Sequence, residues 1–418
     1  MCGIAGYIIN TDESASMRDK LLSATNCLQS RGPDSSGIYQ DRNVGLGHRR
    51  LSIIDLSQEA AQPMSDVEDR YTLCFNGEIY NYLQLREDLI KNGTQFRSSS
   101  DTEVLLQLFM QKGIDCVELL NGFFAFAIYD KVERKLFLVR DRFGIKPLFY
   151  YHHNDQIFFS SEIKALVEFK IPKEIDKAAL ATYLQLNYIP GPHSIFQNVK
   201  KVEPGKYLEI NTENFEGSSV QVPYYNISST PSENINNTEA EDKLFGLLDD
   251  AVKKRLVSDV PLGSFLSGGI DSSIIAALAS QHVDKLKTFS IGYKDEPHFD
   301  ETKYAELVAK KIGSEHHVFK LSNDDLFEIL HDVLDYMSEP FADSSALAVY
   351  ILSSNVRQHV TVALSGDGAD ELFAGYNKHR AHYKALNDKT FTNLVKVGSP
   401  FWKLAPKSRQ NKISNIFR

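Results

Sequence analysis

The stretch PLGSFLSGGIDSSIIAALASQH (261–282) decides how the second half of the chain folds. A short apolar run, GSFL, stops at a serine and two glycines, and apolar residues at helical spacing begin at Ile270. That order reads as a strand turning directly into a helix. Adjacent glycines at such a junction let backbone N–H groups come close to an anion, and the helix amino end adds partial positive charge. Around Gly268 and Gly269, Ser267, Ser272 and Ser273 can add hydroxyl donors, and Asp271 is suited to holding Mg²⁺ against a pyrophosphate. A glycine-rich turn capped by Asp and Ser is the purely structural alternative. It is sufficient for a bare glycine pair, but S-G-G-x-D-S at a strand-to-helix junction favours phosphate binding. No GxxxxGK[ST] pattern occurs, so this is not a Walker-type loop.

Moving outward, strand-like and helix-like runs alternate. AEDKLFGLLDDAVKKRLV (240–257) reads as helix, KTFSIGY (287–293) as strand, ETKYAELVAKKIG (301–313) as helix and HHVFKL (316–321) as strand. A long helical stretch follows, then the strand VTVALS (360–365). Regular alternation with buried-type strands predicts a doubly wound parallel sheet, whose ligands bind at the carboxyl ends of the strands. SGDGADE (365–371) follows the last strand and should share that end of the sheet with SGGIDSS. Asp367 lies nearest the strand end and is the better functional candidate. Asp370 and Glu371 are also accounted for as an acidic helix start facing the helix dipole.

The first half reads differently. GIAGYII (3–9), VGLGHRRLSII (44–54), YTLCF (71–75), FFAFAIYD (123–130) and KLFLVRD (135–141) carry the aromatic and β-branched residues of strands. NYLQLREDLIKNG (81–93) and DTEVLLQLFMQKG (101–113) read as helices closed by glycine. These patterns predict an α+β layered domain with much antiparallel sheet. Residues 211–238, rich in Asn, Ser, Thr, Glu and Pro, read as a linker between domains at 1–210 and 239–418. No internal repeat is evident.

A chain of 418 residues has room for two or three domains, and 42% hydrophobic residues supply real cores. A net charge of −9 gives no support to a nucleic-acid or anionic-membrane role. No run approaches a membrane span, and the amino end lacks the basic and apolar regions of a signal peptide. The four cysteines, Cys2, Cys27, Cys74 and Cys116, lack metal-type spacing, so the expectation is a reduced cytoplasmic protein.

Three smaller features are ambiguous alone. Asn76-Gly77 in NGEIYN (76–81) predicts a tight turn. Asp101 follows three serines and suits a helix N-cap, and Arg50 in a strand-like run reads as a solvated arginine. Cys2 is too near the terminus to be core packing. Removal of Met1, which is usual before a small residue, would give Cys2 a free α-amine. With a thiol near pKa 8.5 and an amine near 7.7–8.0, one residue would then hold nucleophile and base.

Together these motifs resemble the glutamine-dependent asparagine synthetase family. The resemblance runs through MCGIAGY (1–7), RGPDSSG (31–37), HRRLSIID (48–55), NGEIYN (76–81), SSSDTE (98–103) and RDRFGIKPL (140–148), then SGGIDSS and SGDGADELFAGY (365–376). It implies an N-terminal-nucleophile glutaminase domain of αββα layers, followed by a pyrophosphatase-loop synthetase domain. By resemblance, Cys2 attacks the glutamine amide, and Asn76 and Gly77 form the oxyanion hole. Arg50 holds the glutamine carboxylate, Glu78 and Asp101 its ammonium, and Leu51 and Ile53 line the pocket. ATP would meet Leu266, Ser267, Gly268, Gly269, Asp271, Ser272, Ser273, Ile291, Ser365 and Gly366, with Mg²⁺ on Asp271. Asp367 would assist acyl-adenylate formation.

The resemblance further implies amidation of a carboxylate, first of all aspartate to asparagine. Ammonia would pass through an interior channel lined by small and apolar side chains. A homodimer, and no nucleic-acid or membrane partner, are expected. A relative acting on a sugar acid or a secondary-metabolite precursor remains open, as does glutaminase activity alone. Two departures from the family are local: Asp367 stands where some relatives have glutamate, and Ser30 where they often have histidine. Relatives also continue beyond this length with helices that supply a lysine, so an incomplete synthetase domain is expected. From Lys389 onward the chain holds seven Lys or Arg and no Asp or Glu, which reads as a surface facing further sequence or solvent.

Overall fold

The run FFAFAIYD is apolar at successive positions because its strand is covered on both faces. The computed structural model describes residues 1–10, 14–215, 220–227 and 235–390, with 392, 393 and 397. The basic carboxyl-terminal segment thus lies mostly outside the described residues. In chain order the first strands are β1 (Gly3–Ile9), β2 (Ser35–Asp41), β3 (Val44–Arg50), β4 (Met64–Ser65), β5 (Tyr71–Ile79) and β6 (Gly122–Asp130). They are followed by β7 (Lys135–Arg140), β8 (Phe149–His153), β9 (Gln156–Ser160), β10 (Val199–Lys201), β11 (Lys206–Asn211) and β12 (Gln221–Pro223). They form two six-stranded sheets, in the orders β10-β8-β9-β1-β3-β2 and β12-β11-β7-β6-β5-β4. The paired strands run antiparallel.

Alternation along each strand explains the layers. On β1, Ile4 and Ile8 enter the core between the sheets, while Ala5, Tyr7 and Ile9 enter an outer core under the helices Ser14–Cys27 and Ile163–Glu168. On β6, Ala125, Ala127 and Tyr129 point inward, and Phe124, Phe126 and Ile128 meet the helices Tyr82–Lys91 and Asp101–Lys112. The result is an αββα sandwich, matching the expected layered class. Gly113 sits at φ 61 after the second helix, the left-handed conformation that favours glycine.

Strands β13 (Leu262–Phe265), β14 (Lys287–Tyr293), β15 (Glu315–Leu321) and β16 (Val362–Leu364) form a parallel α/β sheet ordered β15-β14-β13-β16. The order grows outward from β13 in one direction and then reverses, placing β16 on the other side of β13. That reversal is the switch point where open α/β sheets bind ligands. The long helical stretch is broken into Asn323–Glu328, Leu330–Tyr336 and Ser345–Val356, with Pro340 between the last two. Within 211–238, read as a linker, β12 pairs with β11, and the helix Asn237–Arg255 starts at a capping box of Asn236 and Glu239.

The chain divides into two compact units. One holds Met1–Gly263, Ile291–Asp300 and Val318–Val362; the other holds Ser264–Ser290, Glu301–His317 and the described residues from Ala363 onward. Among the described residues no helix is long and apolar enough to cross a membrane. The core under the helices Tyr82–Lys91 and Asp101–Lys112 depends on Phe126, which is fully buried with its ring 5.8 Å from that of Phe124. Truncation to Phe126→Ala should cost about 3–5 kcal/mol. Urea unfolding followed by fluorescence measures it, and a loss under about 1 kcal/mol would contradict close packing on that face.

Candidate active site

The amino end enters the first unit as β1, buried at every residue and paired with β3 on one side and β9 on the other. The residue before β1 therefore sits at the mouth of the sandwich. There Met1, Cys2, Arg50, Leu51, Ile53, Asn76, Gly77, Glu78, Asp101 and Lys146 line one cavity, with Ile54, Gln62, Phe75 and Thr102 completing its wall. Every residue expected for a glutamine pocket lies on this cavity.

Arg31 and the 50–52 turn hold Cys2 in place. Arg31 Nε donates to the Cys2 carbonyl at 2.9 Å, and its Nη1 pairs with Glu162 Oε1 at 2.9 Å in a buried ion pair. The Cys2 sulfur accepts from Leu51 N at 3.4 Å and lies 3.7 Å from the Leu51 carbonyl. Gly32 in RGPDSSG packs so near β3 that a Cβ would lie 2.3 Å from the Arg49 carbonyl carbon. Burial pushes the thiol up, while the terminal amine, the Leu51 N–H, Lys146 and Arg50 pull it back. Burial lowers the amine of Met1 to about 5, so it is neutral at pH 7 and holds a free lone pair.

Asn76 and Gly77 correct the expected turn. They lie inside β5, where Asn76 pairs with Ala125 and Gly77 with Phe124 on β6. Glycine is required by contact rather than by φ, since a Cβ at Gly77 would lie 2.3 Å from the Phe123 carbonyl oxygen. Asn76 is fully buried, yet neither side-chain polar atom has a partner. A buried amide in that condition costs free energy unless a ligand supplies the bond.

Arg50 is buried rather than solvated. Its Nη1 donates to the Ser57 carbonyl at 3.0 Å, and its Nη2 to the carbonyls of Ile54 and Asp55. The guanidinium thus clamps residues 54–57 beside the cavity. Asp55 reinforces the clamp by accepting from Ser57 N at 2.9 Å and Ser99 N at 2.6 Å. Burial alone would raise the Asp55 carboxyl, but these bonds and the serine hydroxyls lower it to about 2.

Asp101 is not the helix cap. Ser100 caps the helix by accepting from Glu103 N at 3.2 Å, which frees Asp101 Oδ2 to accept from Ile79 N at 3.0 Å. Burial raises Asp101 to about 7 despite that bond, with neighbouring Glu78 adding to the rise. Glu78 is also raised by burial, and Lys146 opposes the rise. Behind the cavity His48, lowered by burial to about 4, is neutral at pH 7. Its Nε2 lies 3.0 Å from the Phe75 carbonyl, tying β3 to β5.

Sequence reasoning gave Lys146, Gln62, Thr102 and Met1 no place at the cavity. Lys146 stands inside RDRFGIKPL, so that motif was the available signal. Gln62 accepts from Phe75 N at 2.6 Å and steadies the strand leading to Asn76.

The loops after β13 and β16 carry most of the residues of the other expected site. Leu266 is buried just beyond β13, and its N–H donates to the Phe289 carbonyl at 2.8 Å. Gly268 sits at φ +83, and a Cβ there would lie 2.5 Å from Ala305 N. Ser267 and Ser272 hydroxyls lie 2.9 Å apart, and Ser267 Oγ accepts from Gly269 N at 3.2 Å. Gly269 occupies the cap position of the helix Ile270–Ala279 without a side-chain cap, and the buried Ser273 hydroxyl has no partner. N–H groups paired only with hydroxyls of the same loop, and an orphaned hydroxyl at one helix start, suit phosphate oxygens.

The two loops meet as expected. A Cβ at Gly366 would lie 2.8 Å from Ser272 N and 3.0 Å from Asp271 Cβ. Ser365 Oγ donates to Asp367 Oδ2 at 2.9 Å, leaving Asp367 exposed at the loop tip. Ile291 lies on β14. Among the described residues no group of three or more His, Cys, Asp or Glu forms a metal cage. A single carboxylate, Asp271, beside a phosphate cradle fits Mg²⁺, which commonly takes one or two carboxylates plus substrate phosphates.

Residues 1–225 match the family described as glutamine amidotransferase domain, and residues 243–415 match that described as asparagine synthase. Asparagine synthetase [glutamine-hydrolyzing] 1 of Bacillus subtilis is 40% identical over 91% of this chain and 60% of its own length. A putative asparagine synthetase [glutamine-hydrolyzing] 2 of Methanocaldococcus jannaschii is 36% identical over 100% of this chain and 83% of its own. A solved glutamine phosphoribosylpyrophosphate amidotransferase of B. subtilis is 17% identical, covering 76% of this chain and 81% of its own, with a TM-score of 0.42. The chain spans about 60% of the length of the B. subtilis synthetase.

Asp101 gives this site a measurable signature. Its folded pKa lies above the unfolded value of 3.8, so the folded state holds a proton that the unfolded state has lost. Stability therefore falls as pH rises from about 4 to about 7. Asp101→Asn should raise the thermal midpoint at pH 8 and leave it nearly unchanged at pH 4. A lower midpoint at both values, read by calorimetry, would contradict the assignment.

Proposed function

The chain belongs to the glutamine-hydrolysing asparagine synthetase family, and from that premise we propose that it uses glutamine nitrogen and ATP to convert aspartate to asparagine. The observation carrying this reading is the convergence of Cys2, Arg50, Asn76, Gly77, Glu78 and Asp101 on one cavity, in a chain that also holds the SGGIDSS loop.

With Met1 removed, the amine of Cys2 takes the thiol proton and the sulfur attacks the side-chain carbon of glutamine. Negative charge developing on the amide oxygen is met by the Gly77 N–H and the Asn76 Nδ2, a donor otherwise without a partner. The C–N bond breaks, the departing nitrogen takes the proton held by the amine, and a thioester remains. Water then cleaves the thioester, releasing glutamate and restoring the thiol. Arg50 faces the glutamine carboxylate, while Glu78 and ionised Asp101 face its ammonium. Leu51 and Ile53 supply the pocket wall.

The freed ammonia needs an activated acceptor. The β-carboxylate of aspartate is a poor electrophile, and its adenylation by ATP, with loss of pyrophosphate, makes AMP the leaving group. Ammonia then displaces AMP and forms the amide. The N–H groups and hydroxyls of Ser267 to Ser273 suit the pyrophosphate portion, with Leu266, Ile291, Ser365 and Gly366 assigned to the nucleotide. Bound Mg²⁺ would neutralise phosphate charge, with Asp271 as its protein ligand. Asp367 at the loop tip assists adenylation. Delivery of ammonia without release to water belongs to the same proposal, because ammonia free in neutral water is mostly protonated.

Pyrophosphate and asparagine formation from aspartate, ATP and Mg²⁺ test the reading. Cys2→Ala should abolish the reaction with glutamine and leave that with ammonium salts intact. Glutamate formation without ATP consumption, for any acceptor acid, would reduce the protein to a glutaminase. Since Asp101 titrates at about 7, KM for glutamine should climb as pH drops below that value, as the ammonium loses its counter-charge. A flat KM between pH 6 and 8 would remove Asp101 from substrate binding.

A further inference from the structure

Two cationic side chains line the cavity, Arg50 and Lys146. Arg50 is committed to the carbonyls of residues 54, 55 and 57. Lys146 is held very differently. The loop carrying it is tied down from both ends by two residues of its own motif. Buried Asp141 accepts from Phe143 N and Ile145 N on Oδ1, at 3.0 Å each, and from Lys146 N on Oδ2 at 2.9 Å. Arg140 donates from Nε to the Lys146 carbonyl at 2.8 Å and from Nη2 to the Gly144 carbonyl at 2.7 Å. A third bond joins Arg140 Nη1 to the Val202 carbonyl at 2.7 Å. Gly144 sits at φ +68, a left-handed conformation that lets the loop close beneath Lys146.

So many backbone bonds around one short loop fix where its side chain emerges, and Lys146 emerges at the cavity that holds the sulfur. We propose that Lys146 is the positioning residue that eases ionisation of the Cys2 sulfur, its ammonium offsetting part of the cost of burying a thiolate there. This rests on the reading of Cys2 as nucleophile and adds to it the electrostatic partner. The charged and titratable groups around Lys146 are Glu78 and Cys2, which favour its ammonium, with Asp141, and Arg31, which opposes it. The terminal amine adds a further nearby charge when protonated. Burial favours both a neutral lysine and a neutral thiol, and the charge of each opposes that effect on the other.

The test is alkylation of Cys2 by iodoacetamide in the full chain, followed by peptide mass mapping from pH 5 to 10. Lys146→Met and Lys146→Gln remove the charge at similar length, and Lys146→Arg retains it. The neutral variants should move the midpoint of Cys2 labelling upward by on the order of one pH unit, with the arginine variant near the parent. Labelling of Cys27 provides an internal control. Unshifted profiles in the neutral variants, with only KM for glutamine altered, would overturn the proposal and leave Lys146 as a counter-charge for Glu78. An equal shift in all three variants would also overturn it, because packing rather than charge would be responsible. A parent protein whose Cys2 resists labelling at every pH would instead remove the nucleophile reading, on which the proposal stands.

Discussion

Strand β1 is buried along its whole length and hydrogen-bonded on both sides, and the position of the second residue follows from that. A central strand cannot slide by one residue without exchanging its two faces. Here such a slip would drive Ile4 and Ile8 out of the inter-sheet core and bring Ala5 and Tyr7 into it. The register is therefore fixed by two cores at once. The residue just before this strand is thereby placed by the strand's register, although termini are normally mobile. The Arg31–Glu162 pair completes the restraint through the Cys2 carbonyl.

That rigidity places charges in a site with little water to screen them. Glu78, Asp101, the thiol and the terminal amine all have pKa values moved by burial toward their neutral forms. Holding these groups charged in such a pocket is costly, and the proposed zwitterionic substrate would relieve that cost. Its ammonium would compensate the two carboxyls, and its amide oxygen would give the orphaned Asn76 Nδ2 a partner. The binding free energy of such a ligand partly offsets a cost already present in the folded protein. Lys146 belongs to the same balance, since its charge opposes the effect of burial on both the thiol and Glu78.

The layered fold was legible because burial leaves a direct mark on composition. FFAFAIYD and KLFLVRD are continuous apolar runs, as strands between two cores must be. The strand-helix alternation around SGGIDSS was equally open to reading. What misled was local chemistry overruled by tertiary contact. Asn-Gly favours a turn in isolation, yet β6 pairs along its whole length with β5, and the Phe123 carbonyl leaves room only for glycine at position 77. Asp101 suits a cap by type, but Ser100 lies one residue closer to the correct geometry. Arg50 looked solvated because nothing local shows that residues 54–57 fold back over its guanidinium. Lys146 left a signal in RDRFGIKPL, but its meaning depends on Arg140 and Asp141 being spent on the backbone of that loop.

The second unit obeys the same logic with the opposite outcome. Its loops lie where the strand order reverses, after β13 and β16, so no neighbouring strand covers them. Gly366 brings them within van der Waals contact, and Gly268 presses the first against the helix Thr302–Ile312. Both glycines shape backbone rather than chemistry. What they expose is a set of N–H groups and serine hydroxyls satisfied largely by one another, Ser267 with Ser272 and Gly269 with Ser267. Such mutual bonds are weak competitors for a phosphate, whose charged oxygens make stronger ones. The cavity of the first unit thus carries its cost in buried ionisable groups, whereas the loops after β13 and β16 keep their donors in pairings with one another.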